Sequence, residues 1–218
     1  MSKFLHLALV ACLLLAGVPA SAATNRFTDF FRAVAVDHDV DMRALLQQGM
    51  DPNLRDAVAN EPALIIALRV NADRVFAVLL QSPEIDIEVQ AVNGDTPLML
   101  ASYKGKTDAV RALLAKKAEP NRPGWTALHY AAAGGYAAIV ALLLDRSAYI
   151  DAGSPNQTTP LMMAAKDGHA EVVKLLLEEG ADASLRNEAG MTAADFARKY
   201  KQAPVLDLLA APVRRGGR

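Results

Sequence analysis

Thr159-Pro160-Leu161-Met162-Met163-Ala164 opens a stretch that runs on through Gly168-His169, Val172-Val173 and Leu175-Leu176-Leu177 and closes on Gly180-Ala181-Asp182. Its order is that of a helical hairpin. Ala164, five residues after the start, suits a first helix, because alanine is the best helix former and lets a neighbouring backbone come close. Gly168 ends that helix, since glycine tolerates the left-handed backbone on which helices commonly close. Val172 and Leu176, four residues apart, then lay an apolar stripe along a second helix.

The pattern recurs. Thr96-Pro97-Leu98-Met99-Leu100-Ala101, Thr126-Ala127-Leu128-His129-Tyr130-Ala131 and Thr192-Ala193-Ala194-Asp195-Phe196-Ala197 are clear copies, and weaker ones begin at Thr28 and Pro62. The six starts, near 28, 62, 96, 126, 159 and 192, are separated by 34, 34, 30, 33 and 33 residues. Three columns accompany them. Ala33, Ala67, Ala101, Ala131, Ala164 and Ala197 form an unbroken alanine column, as closely stacked helices require. Asp37, Asn71, Gly105, Gly135, Gly168 and Lys201 occupy the turn. Val75, Ala109, Ile139, Val172 and Val205, with Leu79, Leu113, Leu143, Leu176 and Leu209 behind them, carry the second-helix stripe. No single copy can bury that stripe without neighbours.

These motifs resemble the ankyrin-repeat family, whose units read Thr-Pro-Leu-His…Ala, then Gly-His, then a Val/Leu-rich run ending in Gly-Ala-Asp. The resemblance implies an all-α solenoid of about six helix-turn-helix units joined by short hairpin-like loops, spanning residues 23–212. It also implies that His129 ties neighbouring repeats together through hydrogen bonds. The end repeats read as caps: Asp41 replaces the apolar residue of the first, Ala194 the leucine of the last, and Lys199 and Lys201 flank the last turn. Residues 213–218, with three arginines, read as a flexible basic tail.

The N-terminus reads as a targeting signal. Met1 to Lys3 is cationic, Phe4 to Leu15 apolar, and Gly17-Val18-Pro19 breaks the run ahead of Ala20-Ser21-Ala22, so cleavage is expected after Ala22. The run is shorter than the ~20 apolar residues that span a bilayer, so no stable membrane insertion is expected after cleavage. A second reading is lipidation at Cys12, the sole cysteine, within Leu9-Val10-Ala11-Cys12, although Leu13 to Leu15 stay apolar past it. Export joined to such repeats points to a bacterial periplasmic protein.

Composition narrows the function. Of 218 residues, 52% are hydrophobic and only 6% aromatic; 23 basic against 24 acidic residues give a net charge of −1, which argues against a nucleic-acid partner. Without Cys12 the mature chain has neither a disulfide nor a thiol nucleophile. Asp37-His38-Asp39-Val40-Asp41 has the opening of a calcium loop, but Met42 and Gln48 stand where the glycine and glutamate belong. It reads as a turn and the acidic start of a helix. No zinc spacing, phosphate loop or hydrolase signature occurs, so neither catalysis nor a cofactor is expected. Gly134-Gly135 reads as the helix-ending turn with an extra glycine, and Asn156-Gln157-Thr158 fits a glycosylation sequon on an exposed loop.

The expected activity is protein binding by a monomer. In ankyrin proteins the concave face, made of loop tips and exposed first-helix positions, usually meets the partner. Carried over, the position before each start gives Phe27, Glu61, Asp95, Trp125, Thr158 and Met191. From these and the ends of the first helices we select Arg69, Tyr103, Lys104, Trp125, Lys166, Asp167 and Tyr200 as partner-binding candidates, a basic and aromatic set suited to an acidic protein surface. Trp125 carries two readings: an anchor for the partner, or a cover for the short loop Glu119 to Gly124. Protection of an exported enzyme and neutralisation of a toxin, as an immunity protein does, both fit. A tethered envelope scaffold is the second function class, and a hydrolase or metal-binding protein a remote third.

Overall fold

A computed structural model describes residues 20–210, and their side chains from residue 25. The cationic start, the apolar run, Cys12 and the tail 213–218 lie outside the described residues. Among the latter there are twelve α-helices and no strand, only an isolated bridge between Arg55 and Pro62. The chain divides into two compact blocks at Asp86 and Ile87.

The first block contains α1 (Ala20–Ala35), α2 (Asp39–Gln47), α3 (Ala63–Val70) and α4 (Asp73–Gln81). Within it α1 packs beside α3 and α2 beside α4. Thr28 lies in the interior of α1, not at its start. The eight residues before it contain neither glycine nor proline, so nothing breaks the helix there, and the expected cleavage point after Ala22 falls inside the same helix. The acidic run is the turn and helix start that its residue types suggest. His38 is the N-cap of α2, while Asp37 accepts from Val75 N–H at 2.8 Å and faces Arg74 Nε at 3.2 Å.

The second block holds four hairpins, α5 (Pro97–Tyr103) with α6 (Thr107–Ala115), α7 (Ala127–Ala133) with α8 (Ala137–Leu144), α9 (Pro160–Asp167) with α10 (Ala170–Glu178), and α11 (Ala193–Lys199) with α12 (Ala203–Ala210). First helices neighbour first helices in sequence order, and second helices do likewise. Each first helix starts at a threonine, Thr96, Thr126, Thr159 or Thr192, whose hydroxyl accepts from the N–H three residues on. The side chain at that third position, Met99, His129, Met162 or Asp195, closes the box by accepting from the threonine N–H. Between hairpins, Ala91, Ser154 and Asn187 donate their N–H across a loop to Asp95, Thr158 and Met191, which makes the hairpin-like connections.

The columns explain why so few aromatics suffice. Every residue of the alanine column is at most 1% exposed, and the space beside it admits no larger side chain without pushing neighbouring helices apart. The carbonyl of each of these alanines accepts the N–H five residues on, from His38, Ala72, Lys106, Tyr136, His169 and Gln202, at 2.8–3.0 Å. That bond requires a left-handed residue between the partners, and all six residues of the turn column have positive φ, from 52° at Asp37 to 80° at Gly168. Lys201, with φ of 60°, adopts it without glycine's freedom. Val75, Leu79, Leu113, Ile139, Leu143, Val172 and Leu176 are fully buried, as the second-helix stripe requires, while Leu209 is half-buried and Asp41 exposed. Phe30 and Phe76 are the buried phenylalanines among the described residues.

Candidate functional site

The ends of the first helices are shaped by how adjacent repeats lock. His129 is wholly buried. Its Nε2 lies 2.8 Å from the Thr158 carbonyl at the head of the next hairpin, and its Nδ1 lies 2.9 Å from the Thr126 hydroxyl and 3.2 Å from the Thr126 N–H. A carbonyl only accepts, so Nε2 carries the proton and Nδ1 accepts. Burial holds this imidazole below the usual histidine pKa, against the opposing pull of the Thr158 carbonyl. A second lock lies at the turns: His169 Nε2 donates to the Ala133 carbonyl at 2.8 Å, and Gln202 Nε2 donates to that of Lys166 at 3.1 Å.

The glycines at those turns make room for the locks. A Cβ on Gly135 would meet the His169 ring at 2.5 Å, and one on Gly168 would strike the Gln202 amide. Gly134 is more than an extra glycine. The ring of Tyr136 lies over both Gly105 and Gly134, so any side chain at either position would collide with it.

Each candidate residue can now be placed. Tyr103, at the end of α5, is 61% exposed and stands edge-on to Tyr130 at 5.8 Å between centroids. Tyr130 in turn donates its hydroxyl to Asp95 at 2.8 Å, and burial first, then that carboxylate, pushes its pKa up to about 12. Trp125 is 37% exposed, with its ring edge-on to His129 at 5.3 Å. It therefore shields the buried lock and still offers surface. Lys104 is the C-cap of α5 and half-buried.

Lys166, Asp167 and Tyr200 come together. Lys166 Nζ is 3.4 Å from Asp167 Oδ1 and 5.7 Å from the centre of the Tyr200 ring. Tyr200, 44% exposed, stacks on Phe196 at 6.4 Å with planes 7° apart, and Lys199 Nζ reaches the same ring, again at 5.7 Å. Arg69 belongs to the first block, where its Nε pairs with Glu61 at 3.0 Å.

Two expectations need correction. The position before each start is not uniformly exposed: Glu61 is buried beneath its arginine, and Thr158 is buried between His129 and Asn187. The second fact also bears on the sequon, because Asn156 is exposed but the Thr158 hydroxyl is taken by Asn187 Nδ2 at 3.4 Å. Sequence reasoning also missed Tyr130, and it set Lys199 both in the cap and on the concave face without selecting it as a candidate. An aromatic one turn into a first helix, where the three neighbouring repeats have Ile66, Leu100 and Met163, and a lysine beside a tyrosine at the end of α11, were the available signals. Among the described residues no group of three or more His, Cys, Asp or Glu side chains is placed to hold a metal, and no helix is long and apolar enough to cross a membrane.

Comparison with known proteins agrees with this geometry. Two models described as ankyrin repeats match residues 64–154 and 149–197, together more than half of the chain. A crystal structure of an ankyrin repeat domain from Acinetobacter baumannii AYE superposes with a TM-score of 0.73 at 26% identity, over 82% of this chain and 94% of that one. Neurogenic locus notch homolog protein 1 of Xenopus tropicalis is 32% identical over 124 residues, which are 56% of this chain and 5% of that protein. The human transient receptor potential cation channel subfamily A member 1 is 30% identical over 131 residues, 55% of this chain and 12% of that protein. The chain thus spans only a small part of these curated relatives. Ankyrin repeats are in general protein–protein interaction modules, and by its columns, capping boxes and matches this chain belongs to the ankyrin-repeat family.

Proposed function

We propose that this chain is a non-enzymatic protein-binding module of the bacterial periplasm, which docks one partner protein on the face of its first helices. The observation that carries the reading is where most of the exposed rings lie. Of the four exposed aromatic rings among the described residues, Tyr103, Trp125 and Tyr200 sit on or beside first helices, while Tyr149 lies in the loop after α8; aromatic and basic side chains are the usual anchors of protein interfaces. A block whose turns are closed by alanine carbonyls and whose hairpins are tied to their neighbours by His129, His169 and Gln202 loses little conformational freedom on binding. The N-terminal sequence supports export, and the bacterial ankyrin domain of like fold supports a bacterial setting. An exported enzyme in need of protection or a toxin to be neutralised would both suit such a module.

The test is affinity capture from periplasmic extract with wild type beside a Tyr103→Ala/Trp125→Ala variant. Wild type retains specific partners and the variant loses them. Retention of the same set by both refutes the surface assignment. The intact mass of the captured bait reads the N-terminus in the same experiment: cleavage after Ala22 without a lipid supports a free periplasmic protein, and a lipid on Cys12 or an uncleaved start refutes it.

A further inference from the structure

We infer that the ends of the first helices in the second block receive an extended acidic segment of the partner, its carboxylates meeting the ammonium groups of Lys166 and Lys199 over the ring of Tyr200. This rests on the protein-binding reading above and adds the chemistry of what is bound.

The first helices follow one another in order, so equivalent positions near their ends form a line: Tyr103, Ala133, Lys166, Lys199. The two lysines converge. Each Nζ is 5.7 Å from the same ring centre, so they are at most about 11 Å apart, within roughly one Debye length of each other. One carboxylate, Asp167, offsets Lys166 at 3.4 Å; among the described residues no carboxylate lies within ion-pair distance of Lys199. Lys201, exposed in the turn just beyond, adds to the excess. Two like charges gathered around one aromatic ring, with a single counter-charge, are complementary to an arriving anion. The ring itself is fixed by its stacking on Phe196, so the receiving surface is already formed.

Spacing favours a polypeptide laid across the repeats. Packed helices stand roughly 8–10 Å apart. An extended chain of the polyproline type has three residues per turn and rises about 3.1 Å per residue, so one side chain in three returns to the same side about every 9 Å. Two carboxylates three residues apart would therefore face Lys166 and Lys199, with Ala133 and Tyr103 farther along the line. A nucleic acid suits the line less well. Only two of the four positions on the line carry a cation, too few for a backbone charged at every nucleotide, and the chain as a whole is slightly acidic.

The probe is a fluorescein-labelled peptide of four Glu-Pro-Pro triplets, titrated by fluorescence anisotropy at low salt against the whole protein. Its controls are the same peptide with glutamine for glutamate and a thymidine oligonucleotide of equal length. The glutamate peptide binds wild type and weakens as salt is raised. Lys166→Gln/Lys199→Gln weakens it by about tenfold, the effect of losing two exposed charge pairs. Lys116→Gln/Lys117→Gln, which removes two lysines from the far end of a second helix, leaves it unchanged. Circular dichroism confirms that both variants fold. Failure of the peptide to bind, equal binding of the glutamine peptide, indifference to Lys166 and Lys199, or tighter binding of the oligonucleotide each overturns the inference. The capture experiment separates the two claims. A partner lost with Tyr103→Ala/Trp125→Ala but kept by Lys166→Gln/Lys199→Gln removes the acidic segment and leaves docking intact, whereas a partner kept by the aromatic variant removes the docking surface itself.

Discussion

Replacing His129 by alanine is the sharpest test of how the repeats are held. The substitution removes a donor from the Thr158 carbonyl at 2.8 Å and an acceptor from Thr126, both in a site sealed from water. A buried carbonyl left without a donor costs about 1–3 kcal/mol. Loss of the edge contact with Trp125 adds about 0.5–1 kcal/mol, for a total near 3 kcal/mol. For a chain of this size that is a fall in Tm of about 6–12 °C. His169→Ala is the matched control, because it deletes a single bond to a partly wetted carbonyl and is expected to cost about 1 kcal/mol. Urea unfolding followed by far-ultraviolet circular dichroism measures both. Equal costs, or a larger one at His169, would refute the assignment of His129 as the buried lock. A pH series adds a second reading. The folded-state pKa of His129 lies below its ordinary value of 6.5, so below that pH the unfolded chain takes up the proton first. Stability is therefore full above pH 6.5 and falls as the pH drops towards the folded pKa. His129→Gln, which cannot titrate, flattens that fall, and an unchanged slope would contradict the neutral tautomer.

Further predictions concern the turns and the Tyr103 surface. Gly135→Ala meets the His169 ring at 2.5 Å and a φ of 74°, whereas Gly94→Ala has a φ of 88° and open space, so the first destabilises by clearly more than the roughly 1 kcal/mol of backbone strain expected of the second. Thermal melts of the pair check this, and equal losses would mean that the turn glycine is there for its φ alone. Spectrophotometric titration shows one tyrosine ionising near pH 12, which disappears in Tyr130→Phe and moves towards its ordinary value in Asp95→Asn. Because that pKa is raised on folding, the unfolded chain loses the proton first above pH 10, and Tyr130 contributes a loss of stability between pH 10 and about 12 that Tyr130→Phe abolishes.

The fold was legible because its repeating features are local. A threonine that caps, an alanine whose carbonyl closes the helix, and a turn residue that bends left-handed are each set by chemistry within about ten residues. Hence Lys201 could be placed in the turn column despite being neither glycine nor asparagine, and its φ of 60° agrees. Thr28 misled for the complementary reason: it matches the start column, but with no breaker ahead of it α1 runs through it from Ala20. The surface was less legible because it depends on side chains reaching from one repeat to the next, at positions where the repeats differ. Glu61 reads as an exposed loop residue until Arg69 is seen to cover it. Gly134 reads as redundant until the Tyr136 ring occupies its missing Cβ. Lys199 reads as a polar cap and one more concave-face position until it meets Lys166 beside Tyr200.

The claim at the centre of this account is that the partner docks on the first-helix face, and site-specific photo-crosslinking in living cells tests it most directly. A photoreactive amino acid is placed at Tyr103, and separately at Arg111, an exposed position on the second helix of the same repeat. Illumination is predicted to give a discrete protein adduct from position 103 and none from position 111. An adduct from position 111 alone, or equal adducts from both, would contradict it.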